Sequence, residues 1–459
     1  MIDIRQFFHA TNPSKSLNVG IEADRQLYID FSPVRGGSII EEMKDNISFY
    51  SPEIPTCTLF TGHIGCGKST ELMRLKQELE QEGFHVVYFE SSEDLEMADV
   101  DIGDVLLAIA RRVSQSLDDM TIAEPKGLRQ LLKEAARLLQ TEFEVTKVEV
   151  GVPEGFGMEG LKFSANDEGE FSLAFGIGKI TTRAKNDSGL RERLNQYLGP
   201  QKTKLLDSIN RELLGAAIAQ LKDRGKRGLV VIMDNLDRVD RAQKPFGRPQ
   251  QEYLFIDQSD CLSKLNCHMV YTMPLALKFS SEYGMLTQRF SQDPRVLPMV
   301  PVQFADGREC TEGMDLLRQM VLSRAFPHLS PGDRMTALTD VFESQAALDR
   351  LCRMSGGHVR DLLRLLNDWI KRGGRNLPLT TDKLEAVIRA QRNEMRLQIS
   401  DDEWELLRQV RRRKTVGGYD GYQTLIHSRL VFEYRDRDES WFDVNPILAE
   451  TRELQSHEQ

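Results

Sequence analysis

The chain has few cysteines, no long hydrophobic run and no targeting signal. Its 459 residues include six cysteines, at positions 57, 66, 261, 267, 310 and 352, and no two of them form a C-x-x-C pair. This spacing predicts a reduced protein without structural zinc. No apolar run approaches the ~20 residues that a bilayer-spanning helix needs, and the first eight residues lack a signal peptide's apolar region. We therefore expect a cytoplasmic protein with no membrane partner.

The formal net charge of −10 is unevenly placed along the chain. Residues 351–430 hold 16 Lys/Arg against 10 Asp/Glu, whereas the remainder holds 44 against 60. An acidic body argues against a protein that coats nucleic acid. The basic stretch leaves two interpretations open, a local contact with phosphates or an ordinary solvated face.

Residues 62–69 read Gly-His-Ile-Gly-Cys-Gly-Lys-Ser and match the phosphate-loop pattern G-x-x-x-x-G-K-[ST]. Residues 57–61 suit a buried strand, and residues 70–82 carry apolar side chains at helical spacing. Strand, glycine loop and helix are the context in which main-chain N–H groups bind phosphate, although a plain glycine turn is the alternative. Lys68 is predicted to reach the β- and γ-phosphates and Ser69 to hold magnesium. The predicted nucleotide-binding residues are Gly62, His63, Ile64, Gly65, Cys66, Gly67, Lys68, Ser69 and Thr70.

Apolar strands alternate with helical segments on both sides of this motif. Residues 84–89 and 228–234 are continuous apolar runs, and the second one ends in Asp234. Such alternation predicts an α/β fold with a parallel sheet that is covered on both faces. A carboxylate at the end of a strand beside the phosphate loop is expected to hold magnesium, so Asp234 is the second predicted metal ligand.

The alternation is interrupted between residues 141 and 185. Seven glycines stand among short segments of alternating polarity there, such as residues 144–150 and 171–175. This pattern predicts an inserted β-hairpin or small β-meander.

The run Asp234-Asn235-Leu236-Asp237-Arg238 resembles the AAA+ and STAND branches of P-loop ATPases, over roughly residues 28–370. In AAA+ enzymes a Glu usually follows the magnesium Asp and polarises the attacking water. Here Asn235 takes that place, and it can orient water without accepting its proton. Asp237 is one turn further on and is predicted to supply the carboxylate, with a helix cap as the alternative. The resemblance therefore implies an ATPase with slow turnover.

The same resemblance implies three further site residues. Thr272 ends the next apolar strand and corresponds to the polar sensor 1 residue, although Thr is also an ordinary strand residue. Arg289, or Arg295, stands where an arginine finger for a neighbouring subunit is expected. Arg360 follows Gly356-Gly357 at a helix start and resembles the sensor 2 arginine of initiator-type lids. Salt bridges to nearby aspartates are the alternative for these arginines.

Helical patterns followed by two short strands close the chain and resemble a winged helix. The basic run Arg411–Lys414 lies before Gly417-Gly418, and the last helical pattern offers only His427 and Arg429 as long polar donors. We expect this part to pack on the ATPase core or on a partner, with DNA phosphate contact as the rival. The predicted organisation is an N-terminal segment (1–50), a P-loop core (51–300), a helical lid (301–375) and a winged-helix-like domain (380–459).

These patterns favour a molecular switch that binds ATP or ADP with Mg²⁺ and controls a homo-oligomer or a protein effector, in conflict, defence or signalling systems. Two rivals remain from the sequence. One is a DNA-associated AAA+ ATPase, such as a loader or a transposition-type regulator. The other is a scaffold that binds nucleotide without turnover.

Overall fold

A five-stranded parallel sheet forms the centre of the protein. The computed structural model describes residues 2–117, 126–137, 173–290, 292–418, 420–437 and 439–455. Within them the strand order is β2-β3-β4-β1-β5, and every neighbouring pair is parallel. The strands are β1 Cys57–Gly62, β2 His85–Glu90, β3 Leu229–Asp234, β4 His268–Met273 and β5 Arg295–Leu297. The predicted α/β class is thereby confirmed.

The sheet is buried on both faces because helices cover each side. All six residues of β3 and of β4 are buried, as the continuous apolar sequences predict. Parallel strands end at the same edge, so the register that pairs Glu90 with Asp234 places both carboxylates beside the loop that follows β1. The helices of this region are Ile39–Asp45, Lys68–Gln81, Ser91–Asp94, Ile102–Ser116, 126–137, Leu173–Asn186, Ser188–Leu198, Lys202–Ser208, Gly215–Asp223, Gln250–Glu252, Ser259–Ser263 and Tyr283–Phe290.

The predicted β-rich insertion is wrong over its last part, where Leu173–Asn186 is a helix. Ile177, Ile180 and Ala184 are buried at helical spacing in the same apolar cluster as the helix Ile102–Ser116. The alternating pattern at 171–175 is only five residues long. Burial of one face of a 14-residue helix outweighs so short a local preference. Residues 141–172, the rest of the predicted insertion, lie outside the described residues.

After the sheet, the chain forms a helical layer, and the N-terminal segment packs against this layer. Phe7, Phe31 and Val34 belong to the same apolar cluster as Leu348 and Trp369. The beginning of the chain therefore packs against the predicted lid. The helices of the two parts are Ile4–Ala10, Glu22–Arg25, Thr311–Ala325, Pro331–Thr336, Gln345–Ser355 and Val359–Gly373.

The C-terminal part has helices followed by an antiparallel ribbon, in the predicted order. The helices are Thr381–Arg396, Asp401–Arg413, Asp420–His427, Pro446–Ala449 and Arg452–Gln455, and the ribbon strands are β6 Val431–Asp436 and β7 Glu439–Val444. Phe432, Tyr434 and Trp441 of the ribbon share an apolar cluster with residues of the sheet and of the helix Lys68–Gln81. The ribbon therefore packs directly on the sheet and on the helix that follows β1. Across the part of the chain that the structure describes, no helix has both the length and the apolar character that a membrane crossing requires.

Candidate functional site

The phosphate loop connects β1 to the helix Lys68–Gln81, as predicted. Gly67 precedes this helix with a φ of 109°, a left-handed conformation that favours glycine. The Lys68 ammonium donates to the carbonyls of Gly62 (2.8 Å) and His63 (3.0 Å), and it lies 2.9 Å from Asp237 Oδ2. Burial is the largest single influence and would lower the pKa of Lys68, but the Asp237 carboxylate, together with smaller contributions from Cys66 and Asp234, outweighs it and the pKa is raised. The loop lysine is therefore held as a cation.

Asp234 ends β3 beside the loop and is almost completely buried. Its carboxylate accepts from the Tyr88 hydroxyl (2.8 Å) and from the Asn235 main chain (2.6 Å). Burial first, and then the Asp234 carboxylate, raise the pKa of Tyr88, whereas a hydrogen bond with Ser69 lowers it. Ser69 and Asp234 thus both lie next to the Tyr88 hydroxyl.

The donor set here fits magnesium. A serine hydroxyl and a carboxylate are hard oxygen donors, which Mg²⁺ prefers while it keeps water and phosphate oxygens as its other ligands. Ser69 and Asp234 both line the pocket above the phosphate loop. Among the described residues no cluster of three or more His, Cys, Asp or Glu could hold a metal by itself. A magnesium ion at this site would therefore share its coordination with the nucleotide.

A short turn after β3 carries the residues that the resemblance pointed to. Asn235 has a φ of 62° and donates through Nδ2 to Glu90 Oε2 at 2.7 Å. The main-chain N–H groups of Leu236 and Asp237 donate to Thr272 Oγ1, at 2.9 and 3.4 Å. Thr272 is fully buried and holds this turn, and it does not line the pocket. Glu90 is a carboxylate at this edge that the sequence did not single out.

The lid contacts the phosphate loop through the start of the helix Val359–Gly373. The Arg360 main chain donates to Gly65 O (3.1 Å), and His358 Nε2 donates to Ile64 O (2.9 Å). A Cβ at Gly65 would lie 2.8 Å from His358 Cε1, so this close approach requires glycine. The half-buried Arg360 lines the pocket, and burial followed by the charge of Arg238 lowers its pKa.

On the other side of the loop, His63 faces the C-terminal ribbon. The Glu433 main chain donates to His63 Nε2 at 3.0 Å. The Phe432 ring lies between two histidine rings, edge-on to His63 and stacked on His358, each at 5.6 Å between centroids. Burial lowers the pKa of His63 well below its usual range and that of His358 to about 4. Both rings are therefore neutral near pH 7, and each accepts a main-chain hydrogen bond, His63 Nε2 from Glu433 and His358 Nδ1 from Asp361 (3.1 Å).

An open pocket lies above the phosphate loop. It brings together many of the predicted residues, namely Ile64, Gly65, Gly67, Lys68, Ser69, Thr70, Asp234, Asn235, Asp237 and Arg360. The other predicted residues do not line it. Gly62 and His63 contribute carbonyls to Lys68, and the Cys66 thiol points to Leu297 O at 3.8 Å.

Neither candidate finger contacts this chain's own pocket. Arg289 donates to Ile256 O (2.6 Å) and to Ser259 Oγ (3.3 Å), and Arg295 pairs with Glu42 (3.0 Å). Their role toward a neighbouring subunit stays a prediction.

The N-terminal segment also reaches the pocket, which the sequence did not indicate. Residues 13–16 form part of its wall, and Leu17 N donates to Thr70 Oγ1 at 3.3 Å. Arg35 is buried and donates to Cys66 O at 2.8 Å. The N-terminal segment therefore helps to build the pocket rather than merely lead into the core. A loop without hydrophobic periodicity gives no sequence signal for such a contact.

Comparisons with known proteins give likenesses of fold. No family model matches the chain, and no curated protein matches it. Among solved structures, a Walker-type ATPase of Pyrococcus abyssi aligns at 12% identity and a TM-score of 0.42, covering 97% of this chain and 99% of that one. Cdc6p from Pyrobaculum aerophilum gives 9% and 0.38, with coverage of 98% and 97%. The ORC2 protein of Aeropyrum pernix gives 13% and 0.40, with coverage of 97% and 95%.

Proposed function

We propose that this chain is a slowly hydrolysing ATPase that acts as a nucleotide-dependent switch. One observation supports the proposal most directly: the lid and the C-terminal ribbon both hydrogen-bond to the phosphate loop itself. His358 and the Arg360 main chain bind two loop carbonyls, and the Glu433 main chain binds His63. A loop that shifts when it binds phosphate must change these contacts. The bound nucleotide is thereby communicated to both modules.

In this proposal the triphosphate lies between the loop and the lid. Main-chain amides of the loop and the Lys68 ammonium bind the phosphates, and Arg360 reads the terminal one. Magnesium, held by Ser69 and Asp234, supplies neutralising charge when bound. Asn235 orients the attacking water, and Asp237 holds Lys68 in place.

Slow turnover follows from the carboxylates at this edge. Asn235 cannot accept a proton, and Asp237 is paired with Lys68 at 2.9 Å. The Glu90 carboxylate is engaged by Asn235 at 2.7 Å. Neither Asp237 nor Glu90 is free to act as a base, and Asn235 cannot act as one. We therefore expect turnover well below typical values of about 10 s⁻¹.

Thermal unfolding with and without ATP tests nucleotide binding. At about 100 times the dissociation constant, ATP should stabilise the wild type by about 2.7 kcal/mol. Lys68→Ala should lose this shift, measured against its own ligand-free midpoint. Lys76→Ala is the matched control, since Lys76 lies on the same helix and pairs only with Glu80 among the residues described. Equal stabilisation of Lys68→Ala and wild type would place the nucleotide elsewhere.

Hydrogen exchange of β6 tests the switch separately. The amides of Val431–Asp436 should exchange more slowly with a non-hydrolysable ATP analogue than with ADP, because the Glu433 N–H is bound to His63. Size-exclusion chromatography with the two nucleotides reports whether assembly follows. Identical exchange in both states would leave an ATP-binding protein without the proposed communication.

A further inference from the structure

The residue after Asp237 is a guanidinium that faces the phosphate pocket. Arg238 ends the short turn Leu236–Arg238, in which Leu236 and Asp237 are buried and Arg238 is exposed. Thr272 holds the main chain of this turn and Glu90 holds Asn235 before it. Thr272 and Glu90 therefore fix the orientation of the turn. Asp237 points inward to Lys68, and Arg238 lies on the pocket wall.

The charges around Arg238 are not balanced by the protein. Within the part of the chain that the structure describes, neither its side chain nor that of Arg360 has a hydrogen-bond or ion-pair partner. Asp361, the residue after Arg360, pairs instead with Arg429 at 2.9 Å and lies 3.9 Å from Arg364. Two unpaired cations are thus kept at one pocket beside Lys68, despite their mutual repulsion.

A polyphosphate is the chemistry that offsets this cost. Guanidinium groups bind phosphate oxygens with two parallel hydrogen bonds, and these are among the strongest in proteins. The pocket already contains a phosphate loop, so the anion is expected at the position that both arginines approach. The burial and repulsion that lower the pKa of Arg360 agree with this placement, since Arg238 is the largest charged contributor.

We propose that Arg238 contacts the terminal phosphate in its own chain, together with Arg360, so that turnover needs no arginine from a second subunit. This inference rests on the proposed function. It also explains why both candidate fingers are engaged elsewhere, Arg289 with Ile256 O and Arg295 with Glu42. Charge at the transferred phosphoryl group is stabilised by an arginine supplied either within a chain or by a neighbour.

Nucleotide affinities of single variants test this assignment. Arg238→Ala should weaken binding of a non-hydrolysable ATP analogue by about 10- to 100-fold, the usual worth of one charge-assisted contact, and should weaken ADP binding by less than about 3-fold. Arg238→Lys should recover part of the loss. Arg308→Ala is the control, because Arg308 is exposed and, among the described residues, forms an ion pair only with Asp306. The ligand-free unfolding midpoint should be unchanged in all three.

Turnover at several protein concentrations separates the two sources of arginine. The rate per chain should stay constant on dilution, should fall at least about 10-fold in Arg238→Ala, and should be retained in Arg289→Ala. If the wild type binds ATP and Arg238→Ala has the same affinity and the same turnover as the wild type, the inference is overturned and the proposed function stands. A rate that rises with concentration and is lost in Arg289→Ala would also overturn it. Absence of nucleotide binding in the wild type would remove the proposed function itself.

Discussion

The two sides of the phosphate loop differ in almost every physical property. The side that faces the pocket is charged, with Lys68 and Asp237 buried against each other and two arginines above them. The opposite side is neutral and aromatic, with Phe432 between the rings of His63 and His358. The charged side is built to bind an anion, whereas the neutral side is packed like a core. Anion binding on the charged side can therefore shift the neutral side, although no ligand contacts both sides.

The largest expected effect concerns the charged side. Lys68→Ala should lower the ligand-free unfolding free energy by about 3–5 kcal/mol, because it leaves the Asp237 carboxylate buried without its partner. Asp237 Oδ1 already has no hydrogen-bond partner among the described atoms, so the site has no second donor to compensate. Denaturant unfolding without nucleotide measures this change.

The double variant Lys68→Ala/Asp237→Asn is the control. It removes the buried charge together with its partner and should recover at least half of the loss. If the loss of unfolding free energy in the double variant equals the sum of the losses in the two single variants, the ion pair does not stabilise this side of the loop.

An effect of intermediate size is expected on the neutral side, and it depends on pH. The folded-state pKa of His358 is about 4, below the usual 6.5. The unfolded chain therefore binds a proton more readily, and stability falls as pH is lowered from about 6.5 toward 4. Between pH 6.5 and 4.5 this amounts to about 2–3 kcal/mol. Burial dominates, with Asp361 opposing the shift and Arg429 and Arg360 adding to it.

Unfolding free energies at pH 7 and pH 4.5 measure this dependence. His358→Gln should reduce the pH-dependent loss by about 2–3 kcal/mol, while His328→Gln, at an exposed position, should retain it. His63 adds a loss of the same sign, because burial also lowers its pKa. Equal pH dependence in wild type and His358→Gln would mean that the pKa of His358 in the folded protein is close to its ordinary value.

The same comparison explains what could be predicted from the sequence. The loop, Lys68, Ser69 and Asp234 belong to contiguous patterns, since a strand, a glycine turn and a helix start follow one another in the chain. The contact between His63 and Glu433 joins residues 370 positions apart, and no local pattern encodes it. The insertion was mispredicted for a related reason, because five alternating residues resemble a strand until packing against the helix Ile102–Ser116 is known.

Thr272 shows a further limit of prediction from a motif. The sequence predicts that Thr272 ends its strand, whereas β4 ends one residue later at Met273, and the Thr272 hydroxyl accepts from Leu236 and Asp237 instead of lining the pocket. The side-chain direction at a strand end depends on the neighbouring turn, and that turn is shaped by the left-handed Asn235. A role for Thr272 at the terminal phosphate therefore stays a prediction. Its visible effect is to fix the turn that presents Arg238.

The smallest expected effect concerns the C-terminal helices. The helix Asp420–His427 is turned toward the core, where Gln423 donates to Phe279 O (3.1 Å) and accepts from Arg241 (3.1 Å). Arg429, just after it, pairs with Asp361 of the lid. A helix held in this way is not presented to a DNA groove, and of the basic run only Arg412 and Arg413 are exposed.

Arg412→Ala/Arg413→Ala should therefore change stability by no more than about 0.5 kcal/mol and leave turnover the same with and without duplex DNA. Lys371→Ala/Arg372→Ala is the matched control, since it removes two exposed cations from the lid. Stimulation of turnover by DNA that is lost only in Arg412→Ala/Arg413→Ala would favour the DNA-associated ATPase. In that case the salt dependence of DNA binding should also fall by about two phosphate contacts in this variant. In that case the core contacts of the C-terminal helix would describe only one of its arrangements, and the nucleotide would control its release from Gln423 and Asp361.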